Sequence, residues 1–63
     1  MSIITKVYYI QNSNELDDAI NSISKNYPSA IHRNYIEMNY SCIEITARAI
    51  DIKSIEYILS PLF

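Results

Sequence analysis

The spacing of apolar residues in this 63-residue chain predicts a small α+β domain with the element order βαββα. Three features carry that reading. They are a β-branched and aromatic run at residues 3–11, a helical apolar stripe from Leu16 to Tyr27, and two strand-like runs between residues 30 and 49. At this length residues 1–63 form a single domain.

The first strand, Ile-Ile-Thr-Lys-Val-Tyr-Tyr-Ile-Gln, has apolar groups on both parities: Ile3, Val7 and Tyr9 on one, Ile4, Tyr8 and Ile10 on the other. A strand covered by helices on one side alone does not need this, so its second face is expected to meet something too. Asn12, Ser13 and Asn14 are helix-capping residues, and Glu15, Asp17 and Asp18 suit the positive end of a helix dipole. Leu16, Ile20, Ile23 and Tyr27 then recur at i, i+4, i+7 and i+11, with Asp18, Asn21, Ser22 and Lys25 opposite. The first helix is expected at about 14–26, ending before Pro28.

The chain has no Gly, so the hairpin turn is expected at Asn39-Tyr40, where Asn tolerates the left-handed conformation. That register sets Ile36 against Ile43, Asn34 against Ile45 and His32 against Ala47. Its other face carries Ile31, Arg33, Tyr35 and Glu37 against Arg48, Thr46, Glu44 and Cys42. Ile31 and Tyr35 thereby fall on the exposed parity, which a bulge near His32 would relieve. Asp51 is expected to cap a second helix at about 52–60, with Ile52, Ile55, Ile58 and Leu59 facing inward. Pro61 ends it and leaves Leu62 and Phe63 as an apolar tail. A right-handed crossover makes the first two strands parallel and lets the third insert between them, for a three-stranded sheet of order 1-3-2. Both helices cover one face of it. The open face is expected to present Tyr8, Ile31 and Tyr35 among mixed charges.

Composition removes most chemistry. Phosphate-cradling loops need Gly, and none is present. One Cys and one His close neither a zinc site nor an internal disulfide, so no metal or cofactor is expected. A net charge of −2 argues against a general nucleic-acid coat. The N-terminus lacks the pattern of a signal peptide and no run reaches the ~20 apolar residues of a membrane span, so a cytoplasmic protein is expected. A chain of about 60 residues buries only about 60% of its unfolded surface. Self-association into a homodimer or higher homo-oligomer is the expected remedy.

Two residue groups invite catalytic readings. In the expected register Cys42 lies opposite Glu37, about 16 Å along the strand from His32 and on the other face, too far for a dyad. Asp17 and Asp18 point about 100° apart on a helix and do not converge on a metal. No enzyme is therefore expected. The tyrosines remain, interleaved with Lys6, Arg33 and Arg48, and Glu37 and Glu44 on the same face would repel phosphates. Tyrosine is also at home in protein interfaces. The expected function is a non-enzymatic macromolecule-binding module, with an interface of Tyr8, Ile31, Arg33, Tyr35, Glu37, Glu44 and Arg48. Its bias toward Ile, Asn, Ser and Tyr suggests AT-rich coding. With the short length, that points to a virus- or mobile-element-encoded inhibitor or regulator of a host protein. A nucleic-acid-binding regulator, using Lys6, Arg33 and Arg48, is the alternative.

Overall fold

The computed structural model describes residues 2–63. Three strands, β1 (Ile3–Ile10), β2 (Ile31–Glu37) and β3 (Tyr40–Arg48), form a sheet of order β1-β3-β2. Both neighbours of β3 are antiparallel to it, so β1 and β2 run in the same direction with β3 between them. The helices are α1 (Leu16–Asn26) and α2 (Ala49–Leu59), and a 3-10 turn, Ser60–Leu62, closes the chain. The expected βαββα architecture and strand order are present.

One hydrophobic cluster joins the helices to a single sheet face. Ile10, Ile43, Ile45 and Ala47 of the sheet meet Ala19 and Ile23 of α1 and Ile52, Ile55 and Leu59 of α2. The Cα trace measures 15 Å across its thinnest direction, enough for one sheet and one helical layer. Ile43, Ile45, Ile55 and Leu59 are fully buried, as the alternation of β3 and the helical spacing of α2 predict. Strand β2 is different: five of its seven residues on both parities, and Ile36 at 77%, remain exposed, with only Tyr35 partly covered. The helices therefore cover β1 and β3 and leave β2 outside the core.

Four expectations are corrected by the geometry. The hairpin turns at Met38-Asn39 rather than Asn39-Tyr40. Both residues have positive φ (50° and 69°), which marks a type I′ turn. The register moves by two residues: Ile36 faces Ser41, Asn34 faces Ile43 and His32 faces Ile45, while Tyr35 faces Cys42 and Arg33 faces Glu44. A two-residue shift preserves parity, so side chains stay on their expected faces and no bulge is required. Helix α2 begins at Ala49, directly after β3, so Asp51 lies in its first turn and is not the cap. It accepts a 2.8 Å hydrogen bond from Arg48 Nε. Leu62 is not a free tail. It is 1% exposed, and its carbonyl accepts the N–H groups of Gln11 and Asn12 at 2.8 and 3.0 Å. Helix α1 starts at Leu16 with no side-chain cap; Asn12 Oδ1 instead accepts the Asn14 N–H at 3.1 Å.

Candidate binding surface on the open sheet face

The register assigns every strand residue to a face. On the side away from the helices lie Ile3, Thr5, Val7 and Tyr9 of β1, the even-numbered residues of β3, and Ile31, Arg33, Tyr35 and Glu37 of β2. Across this face run four rungs. Thr5 and Thr46 join through their hydroxyls at 2.8 Å beside Ile31. Val7, Glu44 and Arg33 follow, with Arg33 Nη2 3.3 Å from Glu44 Oε2. Next come Tyr9, Cys42 and Tyr35, and Cys42 between two rings is fully covered although no helix lies above it. At the turn end Tyr40 meets the Tyr9 ring edge-on, centroids 5.7 Å apart.

Large apolar side chains stand in water here: Ile3, Tyr9, Ile31 and Tyr40 are each at least 60% exposed, and Val7 is 46% exposed. A cleft of about 470 Å³ opens at the turn end, lined by Tyr9, Ile10, Gln11, Glu37, Met38 and Tyr40. The Arg33 guanidinium lies 4.9 Å from the Tyr35 ring centre, a cation–π contact that holds both side chains against the sheet. Desolvation raises the Tyr35 hydroxyl above the usual phenol range, Cys42, Glu37 and Glu44 raise it further, and Arg33 opposes them. The phenol is neutral throughout the physiological range and works as a hydrogen-bonding tip on an apolar ring.

Of the seven residues expected in the interface, Ile31, Arg33, Tyr35, Glu37 and Glu44 do share this face. Arg48 shares its parity but is turned to Asp51 at the sheet's end. Tyr8 is on the opposite side. Its ring stacks on Phe63, centroids 5.6 Å apart, and its hydroxyl donates a 2.7 Å hydrogen bond to Glu56. Burial, followed by that bond and the Glu56 charge, pushes the Tyr8 phenol far above its ordinary value. Lys6 reaches the same Glu56 oxygen at 2.9 Å. The two donors, Lys6 first, hold the Glu56 carboxyl below its usual value.

Ile3, Val7, Tyr9 and Tyr40 are the residues that sequence reasoning missed. Both parities of β1 are apolar, and Lys6 on the Tyr8 parity gives the covered face a charge. Its ammonium group lies 5.9 Å from the Tyr8 ring centre and reaches Glu56 at 2.9 Å. The pairing of β1 with β3 removes the ambiguity, because Ile43 and Ile45 can face only the core.

The Cys42 and His32 side chains project from opposite faces, three residues apart along the hairpin, or about 10 Å at strand rise. Cys42 Sγ lies 3.7 Å from the Tyr40 carbonyl oxygen. Among the described residues no three His, Cys, Asp or Glu side chains gather in a metal-binding group. Among the same residues no helix is long and apolar enough to cross a membrane. The chain matches no protein-family model, no curated protein and no solved structure.

Proposed function

We propose that this protein is a non-enzymatic binding module that docks its open sheet face onto another protein, as a small inhibitor or regulator of a host component. The observation that carries the reading is the apolar strip Ile3–Val7–Tyr9–Tyr40, left in water on a sheet face beside a charged rung, Arg33–Glu44. Aromatic and Arg side chains supply most binding energy at protein interfaces, and charge pairs orient the partner.

The cations favour protein over nucleic acid. Lys6, Arg33 and Arg48 each sit within 3.3 Å of a carboxylate, on Glu56, Glu44 and Asp51 respectively. A phosphate would have to displace those partners. The test is affinity capture from the native host, identification of the partner by mass, and titration with purified Tyr9→Asp and Arg33→Glu variants. Each is expected to weaken binding by about tenfold or more under conditions where circular dichroism shows the variant folded. Wild-type affinity in both variants overturns the assignment of the face. Binding to nucleic acid that falls steeply with salt overturns the class of partner.

A further inference from the structure

We infer that two copies of this chain pair through their β2 strands, antiparallel and centred on Asn34, to make one continuous six-stranded sheet. The Glu37–Tyr40 pair closes a two-residue turn, so Ile31, Arg33, Tyr35 and Glu37 direct their N–H and C=O groups toward β3. His32, Asn34 and Ile36 direct theirs outward. All three side chains are exposed, so no helix overhangs this edge. Seven residues of unprotected strand are a template for another strand.

The β2 sequence is complementary to itself about Asn34. Antiparallel pairing at that centre satisfies all three outward residues, with Asn34 against Asn34 of the partner subunit and His32 against the partner's Ile36. Two amides face each other, and each can donate and accept. On the open face Arg33 falls opposite the partner's Tyr35, so a guanidinium meets a phenol ring twice across the twofold axis, and it lies diagonal to both the partner's Glu37 and the partner's Arg33. A register one residue shorter, centred on Arg33, would oppose two guanidinium groups.

The other free edge, on β1, lacks this complementarity. Pairing all its outward residues, Ile3, Thr5, Val7 and Tyr9, requires a centre at Lys6 and sets two ammonium groups side by side. Its ends are also tied down, by Ala49 N–H on the Ser2 carbonyl and by Gln11 N–H on Leu62.

The pairing stands independently of what the open face binds.

Sedimentation equilibrium is expected to give twice the 7.3 kDa chain mass at micromolar concentration. Asn34→Pro removes an outward N–H that β3 does not use, so it is expected to keep the monomer fold by circular dichroism and to weaken dimerisation by about tenfold or more. Arg33→Glu and Glu37→Arg are each expected to be monomeric, and an equimolar mixture of the two is expected to restore the dimer. A wild-type mass of 7.3 kDa across the concentration range, larger assemblies, or undiminished dimerisation in Asn34→Pro overturns the proposal. So does a mixture that fails to reassociate.

Discussion

The turn at Met38-Asn39 is the point on which the hairpin register rests, and replacing Met38 with Gly tests it directly. Met38 has φ of 50° and is 86% exposed, so it occupies a left-handed conformation with almost no compensating burial. A side chain in that region costs roughly 1–2 kcal/mol through its Cβ. Glycine removes the clash but loses about 0.5–1 kcal/mol more in backbone freedom on folding. The difference is a net stabilisation of about 0.5–1 kcal/mol. In a domain this small each kcal/mol moves the melting temperature by roughly 4–8 °C, so a rise of about 2–8 °C is expected. Urea titration is expected to show a higher midpoint with an unchanged slope. The companion variant is Tyr40→Gly. In a turn at Asn39-Tyr40 this substitution would be the stabilising one. Here Tyr40 is a strand residue paired with Glu37 and packed edge-on against Tyr9, so Tyr40→Gly is expected to destabilise. A Met38→Gly protein no more stable than wild type, or a stabilised Tyr40→Gly, refutes the turn placement and the rungs built on it.

Two further outcomes follow from the packing. Leu62→Ala is expected to cost about 2–5 kcal/mol, because a side chain 1% exposed leaves a cavity under the end of β1, whereas an apolar tail would tolerate it; thermal unfolding decides. Glu56 has its pKa lowered from 4.5 in the folded protein, so its contribution to stability is complete above about pH 4.5 and is lost as pH falls through the depressed value. Glu56→Gln is expected to flatten that part of the acid-unfolding curve, and an unchanged curve in urea titrations across it contradicts the Lys6–Glu56–Tyr8 link.

Local patterns lead far in this chain because its small core tolerates few alternatives. The i, i+4, i+7 stripe of α1 and the Ile52, Ile55 and Leu59 spacing of α2 identify their buried faces unaided, since a helix has one periodicity and these residues obey it. The alternation Ile43–Ile45–Ala47 does the same for β3. With those faces known, a split β-α-β sheet is the arrangement that buries all of them together. Boundaries were less legible. Asp51 looks like a cap because side-chain capping is local, but β3 passes into α2 without a loop and Asp51 pairs with Arg48.

The face of β1 and the register of the hairpin needed the tertiary structure. Eight residues with apolar groups on both parities fit either orientation, and only the pairing Tyr8↔Ile43 and Tyr9↔Cys42 turns Tyr8 inward and Tyr9 out. Asn39 announces one positive φ, but nothing in the local sequence assigns the other to Met38, an unbranched apolar residue taken there by the pairing of the flanking strands and not by its own preference. The amino-acid order by itself determined the elements, their buried faces and the absence of a Gly-based phosphate loop. The contacts between β1, β3 and residues 60–63 decided which tyrosines stand on the open face, because a strand has two equivalent faces until something packs against one of them.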